Sequence, residues 1–349
     1  MVLHTQTNQN RRTMTATKRN SSVELLRILL MVFIVIHHII SSVVAPNFSN
    51  RIYACVDVFL HTAVIVFVLI TGYFGLRFSL RKALLLLFQV LFYSALLGCV
   101  AYFCFGIGTR IDLVKSFLPI SSNAYWFITV YFQLFFLAPF ITKMLEQLTG
   151  RQYSQLLIVL FVLVCWFGFL WKDSVSVDGK NIVNFTFIYL LGNGIRRVER
   201  NKPSSILISR KLALLIISFL VLCLVGFYFL PDRHNLFIHA IVFSYKYNSP
   251  FLILLSIALF NVFRAFSFDS RFINYMATSS LSIYLIHEHP LMREIIYVRP
   301  FNKLMLVESG FSLFLIIVGY ALVLSFCCMG GIKLDNMSLK RLAAVQIDS

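Results

Sequence analysis

Residues 23–40 read VELLRILLMVFIVIHHII, a run apolar enough to cross a bilayer that also carries Glu24, Arg27, His37 and His38. Arg27 and His38 are 11 positions apart; at about 100° per residue this returns to within about 20° of one helix face, about 16 Å further along the axis. Glu24 stands one turn before Arg27. Glu24, Arg27, Met31, Ile34 and His38 therefore share one stripe, and His37 is turned about 100° from its neighbour. A charged group at mid-bilayer costs at least a few kcal/mol, so such a stripe must face protein or water. A helix-end ion pair, or an arginine snorkelling to the headgroups, explains Glu24 and Arg27 by themselves. Neither explains a histidine three turns deep. An imidazole there is a proton-handling group, and an ionisable residue at that depth is by default read as functional.

The elements that must position this stripe are membrane helices. The chain has 349 residues, of which 59% are hydrophobic and 13% charged, with mean hydropathy +0.83. Apolar runs of about 20 residues recur along it, predicting an all-α polytopic membrane protein of about ten transmembrane helices. These lie near residues 23–45, 53–76, 83–107, 124–141, 154–171, 182–195, 212–230, 249–263, 274–289 and 309–329, the sixth and eighth being short. Lys and Arg outside these spans favour one side by about two to one, which places the N- and C-termini in the cytoplasm. The net charge of +17 is read as a topology signal, and no nucleic-acid partner is expected. The first 22 residues are polar and basic and lack the apolar core of a cleavable signal peptide. The seven cysteines lie mainly inside apolar runs without paired spacing, as packing residues. No internal repeat or linker is visible. The expected organisation is a basic cytoplasmic tail over 1–22, one transmembrane domain over 23–330 and a second cytoplasmic tail over 331–349.

Several segments, in order, carry a resemblance. ELLR closes on Arg27, ten residues follow, and then comes His38; DVFLHTAVIVFVLITGYF covers 57–74, with Thr71 where serine is commoner. YWFITVYFQLFFLAPFI covers 125–141, FIYLLGNGIRRVER covers 187–200, and SLSIYLIHEHP covers 280–290, with His289 where asparagine is frequent. Over about residues 19–330 the chain resembles the acyltransferase-3 family of bacterial membrane proteins. That resemblance implies an O-acyltransferase of the bacterial cytoplasmic (inner) membrane. It would take an acyl group, acetyl by family frequency, from cytoplasmic acyl-CoA and place it on a hydroxyl of a cell-surface or lipid-linked glycan. Acetyl-CoA is the implied co-substrate.

Under that resemblance His38 is the general base, removing the proton of a sugar hydroxyl as it attacks a thioester. Arg27 binds or orients the donor, and Glu24 orients Arg27. Arg197 and Arg200, three apart and on one helix face, suit the donor's phosphates, as do Arg77 and Arg81 with Lys82 beside them; setting topology explains all of them equally. His287 and Glu288 are placed to hold the acceptor or shuttle protons, with helix capping as the plainer reading. Asp57 lies near the same side, and Trp126 could stack on a sugar or sit in an aromatic belt. No metal is expected, because no carboxylate or cysteine at ligand spacing joins His37 and His38. The rival reading is a transporter or flippase for a lipid-linked glycan, since intramembrane charges also mark substrate paths. It predicts repeat symmetry and charges spread over several helices. Oligomeric state is left open.

Overall fold

The computed structural model describes residues 20–44, 51–170, 177–229, 246–307 and 310–329. The expected tail over 331–349, and the tail over 1–22 up to residue 19, lie outside the described residues. Every regular element among the described residues is helical, with no strand. Helix α1 (Ser21–Ile39) starts where the Asn20 side chain accepts the Ser22 N–H at 3.0 Å, satisfying one of the unpaired donors of the first turn. With neither Gly nor Pro to interrupt it, the helix runs on through a wider turn at Ile40–Val44. Helices α2 (Arg51–Leu60) and α3 (Thr62–Phe74) abut at His61, and Gly75 closes α3 at φ +78°, a conformation glycine adopts without a Cβ penalty. There follow α4 (Leu80–Cys99), α5 (Arg110–Ser116), α6 (Trp126–Gln147), α7 (Gly150–Phe161), α8 (Ile182–Asn201), α9 (Arg210–Phe229), α10 (Pro250–Arg264), α11 (Arg271–Met276), α12 (Ser280–His287), α13 (Arg299–Leu304) and α14 (Gly310–Met329).

Six stretches among the described residues are long and apolar enough to cross a membrane: Ser21–Val44, Cys55–Phe74, Leu80–Cys104, Trp126–Gln147, Gly150–Leu170 and Gly310–Cys328. Helices also occupy the other four expected spans, but with differences that sequence hydropathy blurred. Helix α8 is long but places Asn184, Asn193, Arg196, Arg197, Glu199 and Arg200 along its length. Helix α10 has 15 residues. The expected span near 274–289 is broken: the 3-10 turn Ala277–Ser279 separates α11 from α12.

The stretch holding α1 and the stretch holding α3 are the inner ones, 61% and 67% buried, against 28% for Leu80–Cys104, Gly150–Leu170 and Gly310–Cys328. Helix α1 packs on α2, α3, α10, α12 and α14. Helix α3 crosses α8 with almost no space between backbones. A methyl at Gly72 would lie 2.0 Å from the Tyr189 carbonyl oxygen, and one at Gly192 would lie 2.2 Å from that of Leu69. Small residues permit such approach, and close backbone packing is a main source of helix affinity within a bilayer. At one end of the bundle the Asn20 side chain donates to Phe266 O at 3.1 Å, Arg196 donates to Phe74 O at 2.9 Å, and Glu199 takes both Tyr73 and Arg264. At the other end Tyr247 N donates to Asp178 O at 3.0 Å and Tyr53 to Gly310 O at 2.8 Å.

Candidate active site

Helix α1 presents its ionisable stripe to a cavity of about 440 Å³. Arg27 lies toward one end of this cavity, with Thr71, Lys82, Thr278 and Ser280 also in its lining. Met31, Ile34 and Phe67 form an apolar wall, and His37, His38, His61, Trp126 and Tyr247 line the cavity as well. Arg27 and His38, about 16 Å apart along the helix, thus open into one space.

His38 Nδ1 lies 2.6 Å from Glu288 Oε2 and 3.1 Å from His287 Nε2. His287 donates its Nδ1–H to Ile283 O at 2.5 Å, so its Nε2 is an acceptor facing His38. The other oxygen of Glu288 is paired with Arg293. Local sequence explains this placement. Pro290 cannot continue α12, and the helix stops at His287 with Glu288 as its cap. His289 then fixes the exit by bonding Ser94 O on α4 at 3.1 Å. Tyr125 ties the start of α6 to the same corner by donating to Leu285 O at 3.0 Å. His287 and Glu288, besides closing the helix, are both buried next to His38.

His37 does not turn away from the site, as the helix angle suggested. Its Nδ1 lies 2.6 Å from Asp57 Oδ1, and it lines the same cavity as His38. Helices α2 and α12 flank α1 on different sides, so each histidine meets its own carboxylate. His61 stacks edge-on against His37 with centroids 4.1 Å apart, and donates its Nδ1–H to Asp57 O at 2.8 Å. Neither partner is near in sequence to the histidine pair, which is why no ligand spacing was visible there. Among the described residues, His37, Asp57 and His61, and likewise His38, His287 and Glu288, bring their ligand atoms within 4.8 Å of one another, a spacing that a metal ion could also use.

The remaining candidates divide. Arg27 Nη1 donates to both oxygens of Glu24, at 3.0 and 3.2 Å, and faces the cavity as expected of a held cation. Trp126 lines the cavity with Tyr247 5.3 Å away, and the Lys180 ammonium lies over its ring. Arg77 and Arg81 are exposed beyond the lining, whereas their neighbour Lys82 reaches it. Arg197 and Arg200 differ in their surroundings. Arg197 donates to Leu145 O at 2.6 Å and stacks on Tyr153 at 4.3 Å, tying α8 to α6 and α7; Arg200 is exposed. Among residues that sequence reasoning missed, His61 carried a signal, being four positions after Asp57 inside an apolar run. Tyr247 and Arg293 carried none.

The described residues thus form a bundle of apolar, membrane-length helices around a cavity lined by histidines that are paired with carboxylates. The acyltransferase-3 family model, an acyltransferase domain, matches residues 20–330, and the chain belongs to this family of membrane acyltransferases. No curated protein and no solved structure matches it.

Proposed function

We propose that this chain is an O-acyltransferase of the bacterial cytoplasmic membrane, moving an acetyl group from cytoplasmic acetyl-CoA to a hydroxyl of a cell-surface or lipid-linked glycan. It would cross the membrane about ten times, with both termini in the cytoplasm. The observation that carries this reading is the cavity that joins Arg27 to a His38 whose Nδ1 is engaged by Glu288 and His287. With Nδ1 occupied, Nε2 is the nitrogen left to take a proton from the acceptor hydroxyl. The hydroxyl oxygen bonds the thioester carbonyl carbon, and the C–S bond breaks.

The donor enters from the Arg27 end. Arg27, oriented by Glu24, and Lys82 meet its anionic portion, and the exposed Arg77, Arg81 and Arg200 add charge for phosphates still in water. The narrow pantetheine arm then runs along the apolar wall toward His38. Trp126 and Tyr247, the latter beside the His61 ring, offer aromatic faces to the acceptor sugar. His287 and Asp57 act through the two histidines they hold.

Mass spectrometry of surface glycans from cells with and without the gene tests this reading. An acetyl increment should be present with the wild-type gene, and absent both from the deletion and from cells carrying His38→Gln at equal membrane level. Glycans identical in all three strains would refute it.

A further inference from the structure

We propose that His37, held by Asp57, is the acid of the site, giving its proton to the thiolate that leaves the donor while His38 takes the proton of the hydroxyl. The inference deepens the acyl-transfer reading and rests on it. Two imidazoles side by side on α1, with ring centroids 5.1 Å apart, line one cavity and are engaged by different carboxylates. One carboxylate arrives from the end of α12 and the other from α2, so each imidazole has a carboxylate oxygen 2.6 Å from its Nδ1. His61 completes the second unit: it is anchored on the Asp57 backbone carbonyl and meets His37 edge-on, 4.1 Å between centroids. Asp57 is buried, and its Oδ1 lies 2.6 Å from His37 Nδ1, so this carboxylate is held directly against the imidazole.

An acid beside the general base would ease departure of the sulfur in this setting. The sulfur departs into a space walled by Met31, Ile34 and Phe67, where a thiolate has little water to solvate it. A proton delivered during C–S cleavage removes that charge. The step balances: the O–C bond forms, the C–S bond breaks, His38 gains the hydroxyl proton, and the sulfur gains the proton of His37. Proton transfer from His38 back to His37, directly or through water, restores both, so one turnover neither consumes nor releases a proton.

The test varies the leaving thiol. Purified protein in lipid is given acetyl-CoA, and separately an acetyl thioester of an aryl thiol, whose thiolate is a stable leaving group without protonation. His37→Gln and Asp57→Asn, at wild-type melting temperature, should each lower transfer from acetyl-CoA on the order of 10²-fold and stay within about threefold of wild type with the aryl donor. His38→Gln should be poor with both donors. Equal losses by His37→Gln on the two donors would assign it a structural role and overturn the proposal. So would normal transfer from acetyl-CoA, or a stoichiometric bound metal that is lost on His61→Ala. If the wild type transfers from neither thioester, the acyl-transfer reading itself falls, and this inference with it.

Discussion

His38 and Glu288 make the smallest unit whose loss should be felt in the chemistry. Glu288→Gln keeps size and one acceptor but loses the charge beside His38 Nδ1, and it leaves Arg293 without its partner. Transfer should fall at least about 10-fold with donor KM little changed, because the loss is of proton acceptance and not of donor binding. An equal rise in KM would place Glu288 in substrate binding instead. Arg197 and Arg200 separate in the same way. Arg197→Ala removes a charge-assisted bond to Leu145 O and should cost stability on the order of 1.5–3 kcal/mol, read as a lower melting temperature in detergent. Arg200→Ala should spare stability and raise the apparent KM for acetyl-CoA. Sequence alone made these two arginines equivalent, because i and i+3 share a face; the neighbouring helices α6 and α7 distinguish them.

Among the elements, the α3–α8 crossing governs the cavity's shape, since α3 carries Phe67 and Thr71 into the lining. Gly192→Ala would drive a methyl toward Leu69 O, so the helices must separate. Overpacking of this kind typically costs about 1–3 kcal/mol, and it should lower both the melting temperature and transfer. Gly226→Ala on α9, where an added Cβ meets nothing within 4 Å, is the control and should be neutral or slightly stabilising. Equal behaviour of the two variants would remove the crossing from the account. The motif around Gly72 was visible in the sequence, but its partner was not: nothing in the order of residues says that Gly72 meets Tyr189.

At the scale of the whole molecule, the ends assigned by charge to one side do meet one another, as the contacts of Asn20 with Phe266 and of Arg196 with Phe74 illustrate. Orientation in the membrane is testable directly. In a background without native cysteines, Ser204→Cys should resist an impermeant thiol reagent added outside, and Ser121→Cys should be labelled; both positions are exposed. The opposite pattern would reverse the side from which the donor enters. The sequence by itself determined that this is a helical membrane protein, that α1 carries Arg27 and His38 on one face, and that the ordered motifs belong to one family. Those properties are local: hydropathy and the 100° step act over a few turns of one helix. Only the tertiary structure decided that His38 is engaged by Glu288, that His37 has Asp57, and that Arg197 is a structural tie. Each of those depends on which helix lies beside which, and contacts between positions 20 to 250 residues apart leave no trace in the spacing of a single chain.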